Sequence, residues 1–177
     1  MRVIAGWLGG RNFSSPGGHR THPMSDKMRG AIFGVLGDIK GLTVLDAFAG
    51  SGALAYEAIS RGAKSAIAVE VDKTAHGVIV ANAEALGITD RLKVTRAFVG
   101  AWSTRHQALK FDLIFADPPY DNIPYRDLEK LPRHLAATGT FVLSWPTNVR
   151  LPILADLQTV QSKSYGDSQL VFYQKIR

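Results

Sequence analysis

The chain of 177 residues is 46% hydrophobic and 20% charged, which is the size and composition of one globular domain with its own core. It contains no cysteine, so disulfides, thiolate metal sites and a catalytic thiol are excluded. No apolar run approaches the length of a transmembrane helix and the N-terminal residues lack the pattern of a secretory signal, so we expect a cytoplasmic protein without a membrane partner.

The net charge of +6 is concentrated in the first quarter of the chain. Residues 1–40 carry six basic and two acidic side chains, whereas the remaining residues carry 15 and 13. Positive charge gathered in this way is typical of a surface that contacts a phosphate backbone, although a solvated arm would have the same composition. The side chains predicted to make such contacts are Arg2, Arg11, Arg20, His22, Lys27 and Arg29.

Residues 1–39 are predicted to form a basic hairpin and helix that pack on a core domain of residues 40–177. Residues 2–6 could form a short strand that turns back into residues 11–13. Ser25 is a typical helix N-cap. The apolar side chains of the helix that it would begin share one face, and they are Met28, Ile32, Val35 and Leu36.

From residue 41 onward, apolar strands alternate with helical stretches. The strands are predicted at 42–46, 66–70, 92–95, 111–116 and 140–144. This alternation predicts an α/β fold with a doubly wound, mostly parallel, Rossmann-like sheet. Residues 157–163 and 169–175 flank a short turn and are typical of an antiparallel hairpin, which brings the sheet to seven strands.

The first strand of the core runs into a glycine-rich loop, residues 46–52, and residues 53–61 are predicted to form the following helix. Glycines at a strand-to-helix turn allow the backbone to approach a ligand closely. The loop also fits the GxGxxA pattern of NAD-dependent oxidoreductases. Asp46 argues against them, because its carboxylate would repel a pyrophosphate but attract the ammonium and sulfonium groups of S-adenosylmethionine.

Glu70, at the end of the next strand, is placed to accept both ribose hydroxyls of such a cofactor. The predicted cofactor is therefore S-adenosylmethionine. The residues predicted to bind it are Asp46, Phe48, Ala49, Gly50, Ser51, Gly52, Glu70, Val71 and Phe98.

The strand 111–116 ends in Asp117-Pro118-Pro119-Tyr120. By itself this tetrapeptide could be a turn that stops a strand. In the context of the glycine loop, however, it combines an acceptor, a rigid carbonyl and a stacking ring, which suits a planar heterocycle held by its exocyclic amine. We therefore predict Asp117, Pro118 and Tyr120 as catalytic residues, with Asp117 and the Pro118 carbonyl orienting the amine and Tyr120 stacking on an extruded base.

The carboxyl ends of parallel strands meet at one edge of a sheet, so we expect Asp46, Glu70, Phe98 and Asp117 to converge there. None of the five histidines has a convincing metal-ligand spacing with a carboxylate, and we predict no metal site.

Five segments of the chain match one known family: 20–27 (RTHPMSDK), 45–54 (LDAFAGSGAL), 57–63 (EAISRGA), 117–120 (DPPY) and 165–167 (YGD). They resemble the bacterial methyltransferases that modify N2 of guanine 966 in 16S ribosomal RNA. The resemblance implies a class I methyltransferase fold, S-adenosylmethionine as the methyl donor, and ribosomal RNA in a small-subunit assembly particle as the partner. A monomer is the default expectation for the oligomeric state.

Two positions depart from the family pattern. His22 stands where the family often has arginine, and Ala97-Phe98 stands where an acid often accepts the adenine amine. Phe98 could stack on adenine instead, or be a buried core residue. Other functions compatible with the sequence are an amino-methyltransferase of DNA adenine or protein glutamine, an NAD-dependent oxidoreductase, and an RNA-binding module without catalysis.

Overall fold

A computed structural model describes residues 1–17 and 24–176 of the chain. The elements in chain order are α1 (Asp26–Leu36), β1 (Thr43–Asp46), α2 (Ala53–Ser60), β2 (Ser65–Glu70), α3 (Lys73–Leu86), β3 (Leu92–Arg96), α4 (Val99–Arg105), β4 (Phe111–Ala116), α5 (Tyr125–Leu128), a 3₁₀ helix (Leu131–His134), β5 (Leu135–Pro146), β6 (Leu157–Tyr165) and β7 (Ser168–Lys175). None of the helices in these two ranges has the length and apolar character needed to span a bilayer.

The strands form one mixed sheet in the order β3-β2-β1-β4-β5-β7-β6. The first five strands are parallel, and β7 runs antiparallel between β5 and β6. This arrangement confirms the predicted doubly wound sheet with a reversed last strand. The direction of winding changes between β1 and β4, and a ligand crevice in such a sheet lies beyond the carboxyl ends of the strands at that point.

Both faces of the sheet are covered, because successive side chains of a strand point to opposite sides. In β1, Val44 joins the apolar cluster formed with α1, α2 and α3, whereas Leu45 joins the cluster formed with α4 and α5. The two clusters hold the ends of β1, β2 and β4 in a rigid setting.

The N-terminal segment folds back on itself as predicted, but the pairing is shorter than the predicted strands. Arg2 and Asn12 form an isolated antiparallel bridge, and the Val3 and Phe13 N–H groups on either side of it donate to the Arg11 and Met1 carbonyls at 2.9 and 3.0 Å. Beyond this pairing, the backbone N–H groups of Ile4 and Ala5 donate to the Glu57 carboxylate of α2 at 2.7 and 3.0 Å. The division of the chain at residue 39 stays a prediction.

Helix α1 begins as predicted, since the Ser25 hydroxyl accepts a hydrogen bond from the Met28 N–H at 3.2 Å. Of the predicted apolar face, Ile32 is buried and Met28 and Leu36 pack against the core, whereas Val35 is exposed. Arg29 and Phe33 complete the buried face, and the Phe33 ring packs edge-on against Phe115 of β4.

Candidate active site

Asp46 lies between two other strand-end carboxylates. It pairs with Ala68 of β2 and Phe115 of β4, and Glu70 and Asp117 each follow two residues later on those strands. The charges of Asp117 and Glu70 both act on the Asp46 carboxyl. The structure thus brings together the three carboxylates that the sequence predicted to converge.

The Asp46 side chain is only 1% exposed. Its Oδ2 atom accepts a hydrogen bond from the Ala55 N–H at 3.3 Å, and its Oδ1 atom has no hydrogen-bond partner among the described residues. Burial, together with the charge of Asp117, raises the pKa of Asp46 to about 7. A buried carboxylate oxygen without a donor suits a cationic group such as an ammonium.

The glycine loop is held in shape by Glu70. The Gly50 N–H donates to Glu70 Oε2 at 2.7 Å, and the Asp72 N–H donates to Glu70 Oε1 at 2.8 Å. Gly50 and Gly52 have φ angles of 53° and 79°, which L side chains rarely adopt. A Cβ atom at Gly52 would also collide with the Tyr56 ring, so glycine is required there.

The remaining predicted cofactor residues surround this loop. Ala49 donates to the Val69 carbonyl at 3.0 Å, Ser51 is buried, Phe48 is partly buried and Val71 is exposed. Phe98, at the N-terminus of α4, is 67% exposed. The interpretation of Phe98 as a core aromatic is therefore wrong, because its ring lies at the surface beside the end of β2, where the Ala97 N–H donates to the Glu70 carbonyl.

The Asp117-Pro118-Pro119-Tyr120 segment follows β4 directly. Asp117 is partly buried, Pro118 is buried and Tyr120 is 37% exposed. Desolvation raises the pKa of Asp117 to about 6, although a hydrogen bond from the Ser144 side chain opposes the shift. Asp117 is therefore mostly ionised at neutral pH and can accept hydrogen bonds from an amine.

The sequence did not point to Ser144, which lies at the carboxyl end of β5. Its hydroxyl is 2.6 Å from the Tyr120 hydroxyl. A signal was present in retrospect, because Ser144 is the one polar residue in the buried run Phe141–Trp145. The strand itself is longer than predicted, starting at Leu135 instead of residue 140.

One shallow cleft borders the Asp-Pro-Pro-Tyr segment, and another lies at the residues that follow it in the chain. One, of about 460 Å³, is lined by Tyr120, Asp121, Pro146, Thr147, Asn148, Val149 and Asp167. The other, of about 400 Å³, is lined by residues 123–127. The first joins the loop after β4 to the turn of the β6–β7 hairpin, and it offers space for a planar ring beside Tyr120.

The basic side chains predicted to contact RNA have different environments. Arg2 is exposed and pairs with Asp26 at 3.3 Å, while Arg11 donates to the Ala85 and Leu86 carbonyls at the end of α3. Lys27 is exposed. Arg20 and His22 lie outside the described residues.

The prediction that Arg29 contacts RNA is wrong. Its side chain is 0% exposed and donates to Asp26 Oδ1 at 2.6 Å and to the Arg2 carbonyl at 2.9 Å. Burial lowers the pKa of Arg29, with Asp26 opposing the shift. An arginine enclosed in this way stabilises the contact between α1 and the N-terminal segment and cannot reach RNA.

Two lysines, Lys27 and Lys163, lie on the Tyr165 ring next to the turn between β6 and β7. Lys163 was not among the residues that the sequence predicted to contact RNA. Lys27 Nζ lies 6.0 Å from the centroid of the Tyr165 ring, and Lys163 Nζ lies 5.6 Å from it. Within residues 1–17 and 24–176, no group of three or more histidines or carboxylates is arranged to hold a metal ion.

Comparisons with known proteins agree on one family. The profile of the family described as Conserved hypothetical protein 95 matches residues 1–174. YlbH of Bacillus subtilis, provisionally named an rRNA methyltransferase, is 34% identical over 99% of each chain. Ribosomal RNA small subunit methyltransferase D of Escherichia coli is 32% identical over 68% of this chain and 60% of its own length. The solved structure of yhhF from Escherichia coli, provisionally named a methyltransferase, aligns with a TM-score of 0.88 at 26% identity, over 99% of this chain and 97% of that one.

Proposed function

Since the chain belongs to the Conserved hypothetical protein 95 family and is an S-adenosylmethionine-dependent methyltransferase, we propose that it methylates the exocyclic N2 amine of a guanine in the RNA of the small ribosomal subunit. An NAD-dependent oxidoreductase and a non-catalytic RNA-binding module do not agree with this membership. The choice of guanine N2 rests on the resemblance to the 16S RNA enzymes, whose motifs the chain shares in segments 20–27 and 117–120.

The observation that carries the proposal is the position of Asp117 beside Asp46, with Tyr120 close to Asp117. The unpartnered Oδ1 atom of Asp46 would receive the ammonium of the cofactor, and Glu70 would receive its ribose hydroxyls while holding the Gly50 N–H. Phe98, exposed at the same edge, would stack on the adenine. S-adenosylmethionine supplies an electrophilic methyl group to this site.

An arylamine is a weak nucleophile, because its lone pair is delocalised into the ring. Asp117 and the Pro118 carbonyl would each accept one N–H of the target amine and aim the lone pair at the methyl carbon. The ionised Asp117 would also stabilise the positive charge that develops on nitrogen as the new C–N bond forms and the bond between the methyl group and the sulfonium sulfur breaks. The rate would derive mainly from orientation and charge. After transfer, the methylated nitrogen would lose its extra proton to Asp117, and S-adenosylhomocysteine would be left as the other product.

Tyr120 would hold the target base outside the RNA stack. Its ring is accessible and borders the cleft of about 460 Å³. Stacking on such a ring is worth about 1–3 kcal/mol per base. The RNA backbone would pass over Arg2, Lys27 and Lys163, and the enzyme would act as a monomer on a protein-bearing particle that presents the base.

The direct test is transfer of tritiated methyl groups from S-adenosylmethionine to small ribosomal subunits that lack their natural methylations, followed by nucleoside analysis. We expect N2-methylguanosine at one position, and more transfer to particles than to naked 16S RNA. Transfer to N6 of adenine in DNA, or to a protein glutamine, with none to RNA would reject the proposal and favour the related amino-methyltransferases.

A further inference from the structure

Ser144 lies at a position that the strand register makes rigid. Its neighbour Leu143 pairs with Ala116 at the end of β4, and Ser144 itself pairs with Leu170 of β7. Ser144 is only 3% exposed and is flanked by the fully buried Leu143 and Trp145. A hydroxyl in this setting has a fixed position, because β5 is hydrogen-bonded to a strand on each side.

The hydroxyl of Ser144 acts on both functional groups of the Asp-Pro-Pro-Tyr segment. It lies 2.6 Å from the Tyr120 hydroxyl, and its proximity to the Asp117 carboxyl lowers the pKa of that carboxyl against the effect of burial. A serine hydroxyl donates one hydrogen bond and accepts up to two, whereas an ionised carboxylate only accepts. Ser144 can therefore donate toward Asp117 while it accepts from Tyr120.

Tyr120 is anchored at its hydroxyl end while part of its ring is exposed. The Ser168 side chain, at the start of β7, also lies close enough to this hydroxyl to lower the pKa of Tyr120 against the effect of burial. The loop between β4 and α5 has no regular structure that would fix the ring otherwise. The orientation of the Tyr120 ring is thus set by Ser144 of β5 and Ser168 of β7 and not by the loop that carries it.

We infer that Ser144 is a positioning residue for methyl transfer. Its hydroxyl links the Tyr120 ring, which stacks on the base, to the Asp117 carboxylate, which accepts the target amine, and so fixes the position of the ring relative to the carboxylate. This inference rests on the proposed function of Asp117 and Tyr120. A misplacement of about 1 Å in such a site costs up to about a hundredfold in rate.

The test compares Ser144→Ala with a matched control, Ser103→Ala. Ser103 is also buried, and its hydroxyl lies 2.8 Å from His134 Nε2, in the cluster beneath α4. We expect Ser144→Ala to lower kcat at least about tenfold with little change in the KM for S-adenosylmethionine. Ser144→Thr, which keeps the hydroxyl, should recover part of the loss, and Ser103→Ala should keep normal turnover. A Ser144→Ala variant as active as the Ser103→Ala control would overturn the inference.

A second readout does not depend on the identity of the substrate. Titration of ¹³C-labelled aspartate carboxyls by NMR should show a higher pKa for Asp117 in Ser144→Ala than in the wild type, and no change in Ser103→Ala, because only the first variant loses a donor to the carboxylate. An unchanged Asp117 titration would also overturn the inference. If the wild-type protein transfers no methyl group to ribosomal particles, the proposed function fails, while this titration still decides whether Ser144 holds Asp117.

Discussion

Asp46 and Asp117 share a poorly solvated environment at the ends of neighbouring strands. Burial, reinforced by the charge of Asp117, raises the pKa of Asp46 to about 7, and burial raises the pKa of Asp117 to about 6. Ionising both groups without a cation between them is costly. A ligand that carries positive charge would relieve this cost, which agrees with a sulfonium cofactor.

The cofactor-free protein should lose stability as the pH rises from about 4 to about 7, the range between the ordinary pKa of an aspartate and the raised pKa of Asp46. In this range the native state binds more protons than the unfolded state, so the free energy of unfolding falls with pH. Asp46→Asn removes this cost and should be more stable than the wild type at about pH 8, by up to a few kcal/mol. Urea denaturation at several pH values measures the difference.

The exposed Asp90 provides the control for that experiment. Asp90→Asn should follow the wild-type pH dependence, since its side chain is solvated in both states. Equal pH dependence of the wild type and Asp46→Asn would contradict the assignment of the effect to Asp46. Saturating S-adenosylmethionine should reduce the loss above pH 7 for the wild type only, because the uncharged amide of the Asp46→Asn variant offers no charge to the ammonium.

Asp117→Asn should lower methyl transfer about a hundredfold or more while cofactor binding stays close to that of the wild type. The amide keeps the size of the side chain but removes the negative charge that would stabilise the developing cation. Single-turnover kinetics and calorimetry of cofactor binding separate the two effects. Asp90→Asn, exposed just before β3 and therefore at the opposite ends of the strands from the site, is the matched control and should retain most of the activity. Near-normal turnover of Asp117→Asn would reject the mechanism.

The sequence predicted the strand-end acids and the glycine loop because each is set by local pattern: an apolar strand, then a polar or glycine residue at its carboxyl end. Ser144 could not be predicted in this way. Its partner Tyr120 is 24 residues distant in the chain, and the contact depends on the register between β4 and β5. The burial of Arg29 could not be predicted either, because one of its acceptors is the carbonyl of Arg2, 27 residues away in the chain.

The contact between the N-terminal segment and α2 depends on two buried side chains, Glu57 and Ser60. Glu57 accepts from the backbone of Ile4 and Ala5 and from Arg61 Nε at 2.8 Å. Ser60, one turn further along α2, accepts from the Leu8 N–H at 2.9 Å. The sequence predicted that this segment folds back on itself but not its attachment to α2, because Glu57 and Ser60 lie 53 and 52 residues along the chain from Ile4 and Leu8, whose backbone groups they contact.

Glu57→Ala should destabilise the protein by about 3 kcal/mol, because it leaves two backbone donors and Arg61 without their acceptor in a buried setting. The loss should be local as well as global: the amide hydrogens of Ile4 and Ala5 should exchange faster relative to those of β1. Urea denaturation and hydrogen exchange followed by NMR measure both. Glu84→Ala, at an exposed position of α3, should change neither, and equal protection of Ile4 and Ala5 in both variants would contradict this role of Glu57.

The positive charge that is concentrated at the N-terminus of the sequence is distributed differently over the surface of the folded molecule. Two of the basic residues near the N-terminus, Arg11 and Arg29, are used in contacts within the protein. Lys27, at the start of α1, instead meets Lys163 of β6 around Tyr165, two residues before Asp167 in the cleft wall. The sequence indicated a basic arm, whereas the structure combines positive charge from both ends of the chain beside the cleft that borders Tyr120.

Removing Lys27 or Lys163 should therefore weaken binding to ribosomal RNA and reduce its dependence on salt. Each lysine that neutralises one phosphate contributes about 0.7 to the slope of log K against log salt concentration for single-stranded RNA, so Lys27→Ala and Lys163→Ala should each lower the slope by about that amount, and the double variant by about twice as much. Fluorescence anisotropy with a labelled 16S RNA fragment at several salt concentrations measures it. Lys64→Ala is the control, because Lys64 is exposed just before β2, at the opposite edge of the sheet.

The control separates two ways of binding RNA. If all three single variants lowered the slope equally, the RNA would be held by the net charge of the protein. If only Lys27→Ala and Lys163→Ala lowered the slope, the RNA backbone would pass the β6–β7 turn, on the path that delivers a base to Tyr120.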